Sequence, residues 1–240
     1  MKVYINNINV FLQGLAHSNE LSLWANDKLS LPEEFTLPKP QYYPKNQLRR
    51  LSPFSKVALH CLDIPSALTE NFPLVFASRH GDLAKTVKLI KDAAIGEDLS
   101  PTQFALSVHN ATSGLFGIAT NNTAATTTIS AGKNTFIEGL VEASMQCQQT
   151  KNPVLYCYGD FDVPEEYRPY ESHQAARCIT LLLTPTKSKE SLATAEISLS
   201  QSASNKNLET DLSIYFIEHF YAKKTTPLIS KNYTLSMDFH

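Results

Sequence analysis

Two short, unbroken apolar runs limit the folds open to this chain. Pro73-Leu-Val-Phe-Ala-Ser78 and Pro153-Val-Leu-Tyr-Cys-Tyr158 contain no polar alternation across their centres. A strand of this kind has to be covered on both faces, which is the condition of strands in a layered α/β sheet. The segments between the runs read as the covering helices. Asp82 is placed to cap a helix over Leu83 to Ala94, with Val87, Leu89, Ile90 and Ala93 as its apolar face. The stretch Asn134 to Gln148 carries Phe136, Ile137, Leu140, Val141, Ala143 and Met145 on several faces and predicts a buried helix.

The rest of the chain completes the pattern. Val3 to Phe11 alternates and predicts a strand, and Ser18 to Asp27 predicts a short polar helix. Residues 30–47 hold Pro32, Pro38, Pro40 and Pro44 and read as a loop, since apolar periodicity resumes directly after them. Ser55 to Leu68 predicts a helix that Pro65 kinks or splits. Two short helices are expected around Asn110, a second candidate cap, and Thr126 to Ser130 is β-prone. Residues 160–172 form a charged loop. Cys178 to Leu183 and Ala193 to Leu199 predict a pair of strands joined by the polar segment 185–191. Leu208, Leu212, Tyr215, Phe216, His219 and Phe220 repeat at helical spacing, and Tyr233 to Phe239 predicts a closing strand. The expected class is an α/β layered fold with a mixed sheet, residues 1–240 forming one domain.

Composition narrows the function classes. The formal charge is −2, with 21 basic and 23 acidic residues, and no basic run argues for nucleic acid or an anionic membrane surface. The start lacks a cationic region followed by a continuous apolar stretch, since Asn6, Asn7 and Asn9 interrupt it, and no window reaches membrane-span length. Cys61, Cys147, Cys157 and Cys178 lack CxxC spacing, which suits buried, reduced thiols in a cytoplasmic protein. There is no G-x-S-x-G elbow, dinucleotide fingerprint, P-loop or H-E-x-x-H motif, so no cofactor or metal is expected.

Three segments carry a family resemblance. They are Arg49-Arg-Leu-Ser-Pro-Phe-Ser-Lys-Val-Ala-Leu-His60, Val75-Phe-Ala-Ser-Arg-His-Gly-Asp-Leu83, and Thr127-Thr-Ile-Ser-Ala-Gly-Lys-Asn-Thr-Phe-Ile-Glu-Gly-Leu-Val-Glu-Ala143. Together, in this order, they resemble the N-terminal domain of β-ketoacyl synthases, within the thiolase-like condensing enzymes. The resemblance implies a thiolase-like half, short relative to a full condensing enzyme. In active relatives the third segment reads approximately T-I-S-x-A-C, and the turn presents a catalytic cysteine at the start of a buried helix. There the helix dipole favours the thiolate that holds an acyl chain as a thioester. In this chain Lys133 falls on that position. An ammonium cannot act as the nucleophile, and a neutral amine would end in a stable amide. The family's two histidines from a second half have no counterpart here, because His80-Gly81 belongs to the first-half turn.

What the resemblance implies is a chain that does not condense acyl groups by itself. It is similar to the chain-length-factor subunits that pair with an active ketosynthase, notably the short form of bacterial aryl polyene pathways. Carrier-protein-bound chains would reach this subunit through that complex. In the family the dimer contact runs through the strand before the turn, here Thr126, Thr127, Thr128, Ile129 and Ser130. His109, Thr112, Leu115 and Phe116 correspond to the segment reaching the partner's acyl tunnel. The bland alternatives stand beside these: a buried strand, core positions for Leu115 and Phe116, and a tolerated Lys133 paired with an acid such as Glu138. An acyltransferase or hydrolase using another residue, and a homodimeric scaffold, are the rival functions.

Overall fold

The computed structural model describes residues 1–199 and 211–240. Its strands are β1 (Lys2–Leu12), β2 (Leu74–Ala77), β3 (Thr126–Ile129), β4 (Val154–Asp160), β5 (Arg177–Thr184), β6 (Ala193–Leu199), β7 (Leu228–Ile229) and β8 (Tyr233–Phe239). Its helices are α1 (Ser18–Ala25), α2 (Pro53–Cys61), α3 (Pro65–Thr69), α4 (Leu83–Ala94), α5 (Pro101–Ala105), α6 (Ala111–Thr120), α7 (Thr135–Thr150) and α8 (Leu212–Ala222). The predicted Leu208 lies outside the described residues.

The strands form one mixed sheet in the order β3-β2-β4-β5-β1-β6-β8-β7. β3, β2 and β4 are parallel, and the remaining pairings are antiparallel. The two apolar runs become neighbours, with Val75 opposite Tyr156, and both are buried along their length. β5 and β6 do not pair with each other as the sequence suggests. β1 runs between them, with Ile5 opposite Leu183 on one side and Ala193 on the other. The period-2 alternation sorts side chains onto two cores. Val75, Ala77, Tyr156 and Tyr158 face α7 and α8, whereas Leu74, Phe76, Leu155 and Cys157 face α2 and Phe116 of α6.

α7 lies close against the sheet because Gly139 has no side chain. A Cβ there would sit 2.7 Å from the Ala77 Cβ and 2.9 Å from the Tyr156 ring. Tyr156 in turn donates a hydrogen bond from its hydroxyl to the Phe136 carbonyl. The helix is not covered all round, since Met145 is 53% exposed. α4 departs similarly. Asp82 caps it by accepting from the Lys85 N–H, but only Val87 and Leu89 are buried, and Ile90 and Ala93 face solvent. Pro65 starts α3, so the helix expected over 55–68 is split at the proline, as its sequence predicts. Asn110 precedes α6 without a side-chain cap bond. All four cysteines are free and buried. Among the described residues no helix is long and apolar enough to cross a membrane.

Candidate functional site: the edge strand, the elbow and the cavity behind it

The turn between β3 and α7 is built around Gly132, whose φ of +58° is left-handed and suits glycine. A 3₁₀ turn over Gly132–Asn134 then runs into α7. Thr135 fixes it from the first helical position. Its Oγ1 donates to the Gly132 carbonyl at 2.7 Å and accepts from the Ala131 N–H at 2.9 Å. Lys133 sits exposed on this elbow. Ser130, one residue past the end of β3, donates its hydroxyl to the Arg79 carbonyl at 3.0 Å. Glu138, in the first turn of α7, accepts from the Tyr233 hydroxyl at 3.2 Å.

Behind the elbow is a cavity of about 410 Å³ whose walls include Lys133, Arg79, Glu171, Arg177, Asp211 and Ile214. Its floor is a buried polar network. Asp160, 1% exposed, accepts from the Ser78 hydroxyl, the Arg79 and His80 backbone N–H groups and the Tyr158 hydroxyl. The Tyr158 oxygen also meets the Asp211 carboxylate, which forms an ion pair with Arg177 and accepts from the Ser213 N–H. Arg177 is 1% exposed and spends its remaining donors on Ser213, Gln174 and the Ala175 carbonyl. Burial alone would push the Asp211 carboxyl up, yet Arg177, with Tyr158 and Ser213, holds it below its ordinary value. Burial pushes the Tyr158 phenol well above its own, reinforced by Asp160 and Asp211. This network locks the turn after β2 to the ends of β4 and β5 and to the start of α8.

The thiols lie elsewhere. Cys61 ends α2, Cys147 is in α7 towards its C-terminus, and Cys157 and Cys178 lie in β4 and β5. Burial pushes Cys147 up to about 11 and holds Cys157 and Cys178 well above a reactive range.

β3 forms one margin of the sheet. Among the described residues it pairs only with β2. The Leu74 and Ser78 N–H groups donate to the Ala125 and Ile129 carbonyls, so the odd-numbered residues turn their backbone towards β2. By the pleat, Thr126 and Thr128 turn theirs outward. Thr127 accepts from Gln146 of α7 at 3.0 Å, and Ile129 packs on the same side. The Thr126 and Thr128 side chains face the other way. There they line an open groove of about 660 Å³ with His109, Ser113, Gly114 and Ile118.

Of the four residues expected to reach a partner, the structure puts His109 in this groove, its ring over Gly81. Leu115 is partly buried against the α2-side core. Thr112 is buried with its hydroxyl 3.3 Å from Ser55, and Phe116, 1% exposed, packs edge-on against Tyr42. Both are turned into this chain's own core. Sequence reasoning missed Gly114 and Ile118. One signal was available: Leu99 to Gly132 contains no Asp, Glu, Lys or Arg, in a chain that is 18% charged. An uncharged stretch is ordinary when buried, but here it carries α5, α6 and β3, with Phe104 60%, Val108 47% and Ile118 80% exposed.

The family described as the β-ketoacyl synthase, N-terminal domain matches residues 22–234. The chain belongs to this family. As the resemblance implied, its fold is that of ketosynthase domains. A chain from the complex of the ketosynthase ApeO with its chain length factor ApeC, from Xenorhabdus doucetiae, superposes with a TM-score of 0.81 at 22% identity over 99% of each chain. The ishigamide ketosynthase/chain length factor gives 0.59 at 12% identity, over 83% of this chain and 68% of that one. A β-ketoacyl synthase from Burkholderia phymatum STM815 gives 0.59 at 12% identity, over 93% and 71%. No curated protein matches the chain.

Proposed function

We propose that this member of the β-ketoacyl synthase N-terminal family is a chain-length-factor-like subunit. It acts as one unit over residues 1–240, does not condense acyl groups, and pairs with an active ketosynthase in type II polyketide or aryl polyene synthesis. The observation that carries the reading is the elbow. Family members that condense acyl groups place a thiol there, whereas this chain presents Lys133, and its four thiols are buried elsewhere. Covalent acyl transfer needs the nucleophile on the elbow.

The role in assembly follows from β3. Outward-facing backbone at Thr126 and Thr128 can pair with an equivalent strand of a partner, joining two sheets. The uncharged groove beside it, with His109 and Ile118, would face the partner and its acyl tunnel. Leu115 would contribute only from its exposed part, and Thr112 and Phe116 would act by shaping α6 from beneath. Carrier protein would engage the complex, and the site of synthesis would be the cytoplasm.

The test is co-expression with a ketosynthase of the same pathway, followed by incubation with acyl carrier protein. The expected result is a stable complex in which acyl adducts form on the ketosynthase and none on this chain. A labile acyl adduct on this chain would favour the acyltransferase reading instead. Self-association that excludes the ketosynthase would favour the scaffold.

A further inference from the structure

The segment between β4 and β5 is fixed at both ends and held in the middle by charge. At its start Phe161 packs edge-on against Phe54 at 5.8 Å, and Val163 is buried. At its end Ala176 exchanges hydrogen bonds with Gln13, by N–H to Oε1 at 3.0 Å and by carbonyl to N–H at 2.7 Å. Residues 165–170 between these anchors are exposed. Asp162 gathers the segment on itself, accepting from the Gln174 N–H and pairing with Arg168 and His173.

Two ion pairs tie it to the body of the molecule. Lys91–Glu166 is largely exposed, at 61% and 41%, and such pairs contribute little. Arg79–Glu171 is different. The two side chains are 16% and 18% exposed, and both guanidinium Nη groups reach the carboxylate. The base on which Arg79 is mounted is itself fixed. Its N–H donates to Asp160 at 3.0 Å, and its carbonyl accepts from Ser130 of the elbow. Residues 171–175 form one wall of the cavity behind Lys133.

We propose that residues 164–173 are an electrostatically latched cover over the elbow cavity, with Arg79 as the positioning residue that holds it shut through Glu171. Hydrogen exchange of the full-length chain tests this. Glu171→Gln is expected to raise exchange in 164–173 by roughly tenfold, with β2, β4 and β5 unchanged. Added salt is expected to raise exchange of the same segment in the unaltered protein and to have little further effect in the variant. Lys91→Ala is expected to change it less than about twofold. Unchanged exchange in Glu171→Gln, a rise spread equally over the sheet, or an equal effect of Lys91→Ala would each overturn the proposal.

Discussion

Tyr158 has one hydroxyl proton and two carboxylates, Asp160 and Asp211, within hydrogen-bond reach. Its oxygen therefore joins the two halves of the buried network, with Arg177 supplying the compensating charge. Tyr158→Phe leaves the ring's packing but removes that link, and is expected to cost about 1–3 kcal/mol in chemical denaturation. Asp211 adds a pH dependence. Its folded-state value lies below the ordinary 3.8, so the folded chain binds this proton more weakly than the unfolded chain. The associated stability is present above the ordinary value and is lost as pH falls through the lowered one. Denaturation midpoints should fall through that acid range, and Asp211→Asn should flatten this part of the profile while lowering stability at neutral pH. On the proposed reading, Lys133→Cys puts a thiol on the elbow without making this chain a condensing enzyme. Intact mass after incubation with acyl carrier protein should show no condensation product from this chain alone. The place of Lys133 was legible because the turn and helix after it have a local pattern. The role of Arg177 was not, because its partners Tyr158, Gln174, Asp211 and Ser213 come together only through the sheet and α8.

Elements carry a different kind of information. Gly139 is unremarkable in a helical pattern, yet it sets the distance between α7 and β2. Gly139→Ala should destabilise the fold by about 1–3 kcal/mol, because the atoms met are an Ala77 Cβ and a ring locked by its own hydrogen bond. β3 offers a sharper test. Thr128 turns its backbone away from β2, and proline is tolerated on the open side of an edge strand. Thr128→Pro should keep the fold and the thermal midpoint close to those of the unaltered chain while blocking partner pairing. Thr127→Pro, on the β2-facing side, should instead unfold the strand. The positions of β2, β4 and α7 were readable from apolar runs and periodicity. The insertion of β1 between β5 and β6 was not, since strand order depends on long-range pairing. Ile90 and Met145 were misjudged for a related reason, as periodicity marks an apolar face without saying whether another element covers it.

At the scale of the molecule, one margin of the sheet ends in β3, beside an uncharged surface on α6, and the elbow next to it carries Lys133. On the proposed reading a partner covers that margin, so the chain's apparent stability should rise with partner concentration. The layered α/β class was legible from two apolar runs. The exposed, charge-free surface needed the structure, because sequence alone cannot separate an uncharged core segment from an uncharged surface. Native mass spectrometry of the chain co-expressed with a ketosynthase of the same pathway tests the central claim most directly. The account predicts a one-to-one complex that Thr128→Pro abolishes while leaving this chain folded. A chain that stays monomeric beside the ketosynthase, or a complex indifferent to Thr128→Pro, would contradict it.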